Sequence, residues 1–197
     1  AAAQGADVVV VDENARIGGS AGYQLGNDAT RRRTHAELLA CVAAEPRIRV
    51  VTATYAAGYY KDHWIPLVSA ERMVKMRAGS VVVASGAFEQ PAVFHNNDLP
   101  GVMLASAAQR LIYRYGVKPM QRAVVLAANA DGYRAALDLL ANDVAVAALV
   151  DLRPASAAAE PLARQLAQAG VEVITGSCIV EGVADAAGLC AGARVAS

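Results

Sequence analysis

The sequence has few cysteines, few aromatic residues and no excess of charge of either sign. It contains three Cys, 5% aromatic residues, and 18 basic against 18 acidic residues, for a formal net charge of zero. Nucleic-acid-binding proteins normally carry a basic excess or patch, so the neutral balance argues against such a partner. Cys41, Cys178 and Cys190 form no C-x-x-C pair, which argues against a disulfide framework, a zinc ribbon or a dithiol redox centre. An odd number of cysteines favours a reducing compartment, so we predict a cytoplasmic protein without a metal site.

Long apolar runs are also missing. The longest wholly apolar stretch, residues 144–150, is far shorter than the ~20 residues that a membrane-spanning helix needs. Hydrophobic residues nevertheless make up 55% of the chain, which is too many for intrinsic disorder. A chain of 197 residues is long enough for one domain or two small ones with a real core. The composition therefore predicts a folded protein that neither spans a membrane nor needs a disulfide or metal to fold.

Short β-branched runs alternate with helical patterns along most of the chain, which indicates βαβ units and a parallel sheet. Residues 56–76, rich in Tyr, Val and Ile, instead predict an antiparallel meander, and residues 15–28 a glycine-rich loop. We predict an α/β protein with two Rossmann-like dinucleotide-binding folds, a partial one in residues 1–119 and a partial, degenerate one in 120–197. The predicted strands are 7–12, 47–54, 80–84, 123–127, 144–151 and 171–183. The predicted helices are 29–44, 103–115, 132–142 and 157–169. In the first of these helices, the apolar stripe consists of Ala29, Leu38, Leu39 and Val42.

The first candidate site follows the first predicted strand. In dinucleotide-binding folds, an acid at the end of the second strand accepts hydrogen bonds from the adenosine ribose. Asp12 holds this place, and Glu13 is its alternative. Gly18 and Gly19 then allow backbone amides to approach a phosphate or ribose where a Cβ would clash, and Arg16 could lie against the adenine. A strand-end acid followed by an ordinary glycine turn is the simpler explanation, but the spacing of strand, acid and Gly-Gly favours a cofactor site.

A second candidate lies in the sequence VVVASGA at residues 81–87. Flavoprotein-type folds return to the dinucleotide domain through a strand that ends in a small-small-Gly turn, close to the cofactor pyrophosphate and ribose. Ser85 and Gly86 hold that place here. Such a run is common by itself, and its position just after a meander is what favours the cofactor role. Ala56, at the start of the meander, completes the predicted cofactor-binding set.

The third candidate has the strand, loop, helix and strand of a second dinucleotide fold, but its phosphate loop has lost glycines. On the pattern G-x-G-x-x-G only the last glycine remains, as Gly132, while Ala127 and Asn129 hold the first two places. The second glycine normally lets a pyrophosphate sit on the helix N-terminus, and Asn129 obstructs that approach. We predict that this second site is empty and structural, so that Asp151, although it matches the place of the ribose acid, binds no ribose.

A polar segment at residues 88–103, in which residues 94–101 are predicted to form a loop, directly follows the predicted cofactor turn. Loops held by a rigid scaffold often carry function, and His95 is a candidate general acid or base. A linker with Asx turns is the alternative. His35 and His63 have no partner signals and are predicted to be surface residues. No nucleophile elbow, H-E-x-x-H or G-K-[ST] motif is present, which disfavours hydrolases and kinases and leaves the catalytic residues unknown.

In this order, the three motifs resemble the two-dinucleotide-binding-domain flavoproteins of the glutathione-reductase-like type. Residues 58–64 (GYYKDHW), 85–117 (SGAFEQPAVFHNNDLPGVMLASAAQRLIYRYGV) and 123–139 (AVVLAANADGYRAALDL) are similar to one branch, the alpha subunits of heterotetrameric sarcosine oxidases. Those subunits have G-A-H-E-R-P and N-N-D-x-P-G in the loop and N-N-D-x-x-Y-R-A-A in the degenerate fold. This chain departs from the pattern with Phe88 and Gln90 in the places of His and Arg.

The resemblance implies a CH-NH oxidoreductase that demethylates sarcosine to glycine, with hydrogen peroxide and formaldehyde or methylenetetrahydrofolate as products. It implies NAD in the first fold, FAD in the beta subunit where the small-molecule amine is oxidised, and FMN between alpha and beta. Tetrahydrofolate would be a co-substrate, and the partners would be beta, gamma and delta subunits. By this match none of the chain's residues would oxidise the amine, and the dinucleotide would be lined by Asp12, Glu13, Gly18, Gly19, Ser85 and Gly86.

Three alternatives stay open at this point. The chain could belong to a related FAD/NAD(P)-dependent amino-acid or opine oxidase or dehydrogenase, to a single-chain NAD(P)H-dependent flavin reductase, or to a non-catalytic scaffold. A reductase needs a working nicotinamide site, which the degenerate second fold argues against. The strand at 7–12 lacks a preceding parallel partner, and the C-terminal residues resemble an unfinished hairpin, so we expect a fragment of a longer subunit. Its G-x-G-x-x-G unit is then expected upstream, and the fragment alone is expected to be inactive and to bind no dinucleotide.

Overall fold

The computed structural model describes residues 1–24, 28–154 and 160–197. Their contacts form two compact units. The first comprises residues 1–22 and 28–87, and the second comprises residues 23–24 and the described residues from 88 to 197. The predicted boundary at 119/120 lies between two expected dinucleotide-binding folds, and it stays a prediction.

The first unit combines a parallel strand pair with an antiparallel sheet. Strands β1 and β2 pair in parallel from Val8↔Ile48 to Val11↔Val51, and β3, β4 and β5 form the predicted meander in that order. Asp28 starts the long helix, because its side chain accepts a hydrogen bond from the Arg31 amide. The elements are β1 (Val8–Val11), α1 (Ala21–Gln24, at the edge of the unit), α2 (Ala29–Ala44), β2 (Ile48–Val51), β3 (Tyr55–Ala56), β4 (Trp64–Val68) and β5 (Met73–Arg77).

Three predictions for this unit were wrong in part. Residues 80–84 form no strand, and Val82 and Val83 are 90% and 77% exposed. A buried parallel strand needs a neighbour, and among the described strands β1 pairs with β2 while none pairs with this run. Helix α2 has the predicted bounds but buries no residue fully, so its apolar stripe does not enter a core. The loop predicted at 15–28 contains the short helix α1.

The second unit holds nearly all the fully buried side chains of the described chain. Strands β6, β7 and β8 form a parallel sheet in that order, and β9 pairs with β10 as an antiparallel hairpin. The core lies between the sheet and its helices, around Tyr133, Leu149 and Leu166. The elements are α3 (Ala105–Tyr115), β6 (Arg122–Ala127), α4 (Ala130–Ala141), β7 (Ala145–Asp151), α5 (Glu160–Gln168), β8 (Glu172–Thr175), β9 (Cys178–Ala184) and β10 (Cys190–Ala196).

The C-terminal hairpin is complete, contrary to the prediction of an unfinished one. Its turn is closed by the Asp185 carboxylate, which accepts hydrogen bonds from the amides of Ala187 and Leu189 at 2.8 and 2.9 Å. The strand predicted at 171–183 is split into β8 and β9. Of the helix predicted at 157–169, residues 157–159 lie outside the described residues.

Helix α3 packs against α4 through a polar contact. The side chains of Gln109 and Tyr113 donate hydrogen bonds to the carboxylate of Asp138, at 2.7 and 3.1 Å. Burial raises the pKa of Asp138, although both hydrogen bonds oppose the rise. At its N-terminus α3 receives the Glu89 carboxylate, whose oxygens accept from the amides of Ala105 and Ser106 at 3.1 and 2.8 Å. This contact holds the polar loop that precedes the helix.

Candidate functional site

Asp12 lies where β1 ends, in the place predicted for a ribose-binding acid. Its backbone is held by the end of β2, because its amide donates to the Val51 carbonyl and its carbonyl accepts from the Thr54 amide, at 2.9 and 3.1 Å. The half-buried carboxylate accepts two hydrogen bonds from Asn14, from the backbone amide and from the side-chain Nδ2, and both go to Oδ1. Oδ2 has no hydrogen-bond donor among the described residues. The carboxylate can therefore still accept hydrogen bonds from a ligand hydroxyl.

The loop after Asp12 is fixed to the end of β2 by contacts that the sequence did not indicate. The Ala53 amide donates to the Asn14 carbonyl at 2.8 Å, and Ala53 has a φ of 49°, which is uncommon for a non-glycine residue. Thr54 is buried, and its hydroxyl donates to the Thr52 carbonyl. These bonds hold the acid at the carboxyl edge of the parallel pair, which is where ligands bind in open α/β sheets.

Gly18 and Gly19 differ in what a side chain at each position would contact. Both have positive φ, 112° and 55°. A Cβ on Gly18 would lie 2.6 Å from Nε2 of His35 and would force the imidazole to move, whereas a Cβ on Gly19 would meet no atom of the described residues within 4 Å. Gly19 is thus the position where the loop is open. The prediction that His35 is an ordinary surface residue was wrong, because its Nε2 is buried against Gly18; no feature of the sequence marked this contact.

The other predicted cofactor residues make few contacts. Glu13 and Arg16 are exposed, and their side chains form no hydrogen bond with the described residues. Ala56 lies in β3, is exposed and pairs with Leu67. Ser85 is exposed, and a Cβ on Gly86 (φ 74°) would meet no atom within 4 Å in residues 1–24, 28–154 and 160–197. Asp12 and the Gly18–Gly19 loop therefore lie on one short segment that follows β1. Ser85 and Gly86 make no hydrogen bond with the described residues. Their assignment to a cofactor stays a prediction.

In the second fold, side chains of the protein itself occupy the place where a phosphate would bind. Asn129 caps α4, and its Oδ1 accepts a hydrogen bond from the Asp131 amide at 2.8 Å, so a side chain already binds the helix N-terminus. A Cβ on Gly132 would lie 2.7 Å from Cβ and 2.9 Å from Cα of Ala127. The one glycine that remains from the motif is therefore required by close packing of helix on strand.

Asp151 lies at the end of β7, where a working second fold would have its ribose acid. It is 1% exposed, and both of its oxygens are used. Arg153 donates to Oδ1 from its backbone amide and Nε, at 2.9 and 3.0 Å, and to Oδ2 from Nη2 at 2.7 Å, while the Tyr133 hydroxyl donates to Oδ2 at 3.0 Å. No oxygen of this carboxylate remains for a ribose.

The protonation of this cluster follows from its burial and its bonds. Burial alone would raise the pKa of the Asp151 carboxyl, but the hydrogen bonds from Arg153 and Tyr133 outweigh it and hold that pKa below its usual range. Burial, together with the hydrogen bond to Asp151, raises the pKa of Tyr133 to about 12. At neutral pH the cluster is thus an ionised carboxylate held by a neutral phenol and a guanidinium.

His95, the candidate general acid or base, lies in a loop that is bonded to strand β9. Its amide donates to the Val180 carbonyl, and its carbonyl accepts from the Gly182 amide. Its Nδ1 lies 3.5 Å from a carboxylate oxygen of Glu181, which is also paired with Arg194. The His95 side chain is 72% exposed. These contacts support the alternative of a structural loop and show no acid–base partner beyond Glu181 in the described part of the chain.

Metal-binding clusters and membrane-spanning helices are both absent from the described residues. No group of three or more His, Cys, Asp or Glu side chains among them is arranged to hold a metal ion. Of the helices that the structure describes, none is long and apolar enough to cross a membrane.

Sequence comparison confirms the predicted resemblance. The chain is 34% identical over 206 aligned residues to the sarcosine oxidase alpha subunit of Corynebacterium sp. strain P-1, and 35% identical over 175 to that of Rhizobium meliloti strain 1021. These alignments cover 95% and 77% of this chain but 21% and 17% of the relatives, so the chain spans about a fifth of the length of these curated subunits. One of the opine oxidase subunits of Agrobacterium tumefaciens strain Ach5 is 29% identical over 200 residues, which cover 93% of this chain and 38% of that relative. No protein-family model matches the chain.

Comparison with solved structures confirms the predicted fold class. Thioredoxin reductase of T. acidophilum superposes with a TM-score of 0.71 at 14% identity, covering 98% of this chain and 64% of its own. A NAD-dependent persulfide reductase of A. fulgidus gives 0.67 at 20% identity, covering 93% and 37%. A FAD-dependent pyridine nucleotide-disulphide oxidoreductase from Desulfovibrio vulgaris gives 0.60 at 17%, covering 95% and 49%. The chain therefore has the α/β fold of these FAD- and NAD-dependent oxidoreductases.

Proposed function

We propose that this chain is a segment of the alpha subunit of a multi-subunit amine oxidase, and that its first fold helps to bind a dinucleotide, NAD. The similarity to sarcosine oxidase alpha subunits over 95% of the chain supports the enzyme class. The observation that carries the cofactor proposal is the carboxylate of Asp12, which keeps one oxygen without a described donor at the edge where such folds bind ligands.

The residues of the first unit fit the adenosine half of a dinucleotide. Asp12 would accept hydrogen bonds from the ribose hydroxyls, and the open backbone at Gly19 would lie against a phosphate or ribose. Glu13 and Arg16 are exposed beside them, and Arg16 would cover the adenine. Ala56, Ser85 and Gly86 complete the proposed set. Bound NAD supplies a nicotinamide ring that can exchange a hydride, and the residues of this segment contribute binding and orientation to it.

The residues of the second fold do not fit a dinucleotide. Asp151 has no oxygen to offer, and Asn129 binds the helix N-terminus that a pyrophosphate would need. This observation argues against a single-chain NAD(P)H-dependent flavin reductase, which requires a working nicotinamide site there. We therefore propose that the second fold is structural.

We propose further that the complete enzyme demethylates sarcosine to glycine, with hydrogen peroxide and formaldehyde or methylenetetrahydrofolate as products. FAD and FMN would belong to the assembled enzyme with beta, gamma and delta subunits in the cytoplasm, and tetrahydrofolate would be a co-substrate. The amine would be oxidised in a different polypeptide of the complex, so no residue of this chain is proposed as catalytic. The similarity to an opine oxidase makes a related amino-acid or opine oxidase or dehydrogenase the second candidate.

The experiment is to express the complete gene with its neighbouring subunit genes, purify the complex and release its nucleotides by denaturation. We expect NAD together with FMN and FAD, and hydrogen peroxide formation with sarcosine but not from NADPH. Peroxide formation from an opine and not from sarcosine would favour the second candidate. FAD alone with oxidation of NADPH would contradict the proposal, and the absence of any released nucleotide would favour a non-catalytic scaffold.

A further inference from the structure

One buried polar atom of the first unit has no role in the site described above. Nε2 of His35, on helix α2, is buried and has no hydrogen-bond partner among the described residues. Buried nitrogen atoms are normally hydrogen-bonded, and an exception in a native structure indicates strain, a functional role or a missing bound group. The atom lies directly over Gly18, at 2.6 Å from the place of a Cβ on that residue. It is therefore beside the loop proposed to receive the dinucleotide.

The same face of α2 carries positive charge. Leu39, one turn after His35, also lies against Gly18, with Cδ2 at 3.6 Å from the Cβ place. Arg31 lies one turn before His35, so helical spacing puts it on this face too. Its side chain is exposed and has no partner among the described residues, and the carboxylate of the N-cap residue Asp28 accepts a hydrogen bond from its backbone amide rather than from its guanidinium. Arg31 therefore adds a positive charge to the face of α2 that carries His35, and this charge would attract an anionic ligand.

We infer that His35 contacts the bound dinucleotide, with Nε2–H donating a hydrogen bond to a phosphate oxygen and with Arg31 facing the same phosphate. The loop is open at Gly19, where a Cβ would meet no atom of the described part of the chain within 4 Å. A ligand seated there reaches Nε2 by displacing loop atoms, which two successive glycines permit. The inference rests on the proposed function, because it adds a residue to the same dinucleotide site.

The test uses the complete gene product after its bound nucleotide has been removed, with ADP and adenosine as calorimetric probes. We expect His35→Leu to weaken ADP binding by roughly 10- to 100-fold, the usual effect of losing a hydrogen bond to a charged group. Adenosine, which has no phosphate, should bind the variant as it binds the wild type. His35→Gln keeps an N–H donor and should recover most of the ADP affinity.

His63→Leu is the matched control, because His63 is a histidine of the same unit whose Nδ1 is already hydrogen-bonded to the Tyr59 hydroxyl. It should bind both probes normally. If His35→Leu does not fold, as judged by circular dichroism, Arg31→Gln on the exposed surface tests the same phosphate contact and should show the same selective loss for ADP.

Three results would overturn the inference. ADP binding that is unchanged in His35→Leu, or in Arg31→Gln where that variant replaces it, would show that the phosphate lies elsewhere. An equal loss of ADP and adenosine in His35→Leu, without recovery in His35→Gln, would show that the imidazole only packs the glycine loop. A wild-type protein that binds neither probe would contradict the proposed function itself, and with it this inference.

Discussion

Asp12 and Asp151 hold the same place in two related folds, each at the carboxyl end of a parallel strand. Asp12 is half-buried, and among the described residues its carboxylate accepts hydrogen bonds only at Oδ1, from a neighbour two residues away. Asp151 is fully buried, and its two oxygens accept four hydrogen bonds from Arg153 and Tyr133. The first carboxylate has an oxygen left for a ligand, whereas the second is used entirely by the fold.

The glycine-containing loops of the two folds also differ in whether they leave room for a ligand. In the first unit, Gly18 and Gly19 keep positive φ angles, and the loop is open at Gly19. In the second, Asn129 caps the helix and Gly132 is packed against Ala127. The comparison teaches that a residue can match the place of a ligand-binding motif while packing or a buried ion pair depends on it.

The largest expected difference between the two acids is in stability. Asp151→Ala should destabilise the second unit by about 3 kcal/mol, the lower end for breaking a buried ion pair, because the remaining Arg153 can reach water. Asp12→Ala should cost less than about 1 kcal/mol, since it removes only a local turn contact. Hydrogen exchange of the β7 and β1 peptides in the complete protein measures each effect locally. Equal effects on the two strands would contradict the contrast.

The second difference concerns the glycines of the two loops. Gly132→Ala should destabilise the second unit by about 2 kcal/mol, because its Cβ would overlap backbone and side-chain atoms of Ala127. Gly19→Ala should cost about 1 kcal/mol from its positive φ alone. Gly192→Ala is the control, since a Cβ there meets no described atom within 4 Å and its φ lies outside the left-handed region. Thermal unfolding measures all three, and a neutral Gly132→Ala would mean that the helix can move away from the strand.

Removal of the Tyr133 hydroxyl is expected to have the smallest effect on the stability of the protein. Tyr133→Phe should cost about 1 kcal/mol at neutral pH, for one buried hydrogen bond. Since the pKa of Tyr133 is raised from 10.0 to about 12, the folded protein keeps this proton at a pH where the unfolded chain has lost it. Stability should therefore fall as pH rises from 10 to 12, and the part due to Tyr133 should vanish in Tyr133→Phe. A variant with an unchanged alkaline profile would show that Tyr133 does not titrate in this way.

Local pattern was enough to predict most of the elements. Helix α2 has its predicted bounds because Asp28 and Pro46 delimit it in the sequence, and the meander follows from its β-branched and aromatic residues. The strand expected at 80–84 does not form, because a strand depends on a neighbour that a local pattern cannot supply. Likewise, the degenerate phosphate loop predicted that the second fold binds no dinucleotide. It did not predict that Arg153 and Tyr133 donate hydrogen bonds to both carboxylate oxygens of Asp151.

The sequence predicted residues of the first site only where a known spacing of strand, acid and glycines could be recognised. Asp12 and the two glycines follow from a known order of strand, acid and loop. His35 was missed because its contact with Gly18 joins a loop to a helix across the unit, and no spacing rule connects the two residues. Conversely, the two glycines were attributed to one cause, whereas the structure shows that the His35 imidazole packs against Gly18 and not against Gly19.

The most direct test of the difference between the two folds is the amount of NAD that co-purifies with each copy of this chain in the complete protein. We predict one molecule per chain in the wild type and in Asp151→Asn, and little or none in Asp12→Asn, which loses the charged acceptor of the ribose. Circular dichroism confirms that each variant is folded. Retention of the dinucleotide in Asp12→Asn together with its loss in Asp151→Asn, or two molecules per chain in the wild type, would contradict the account.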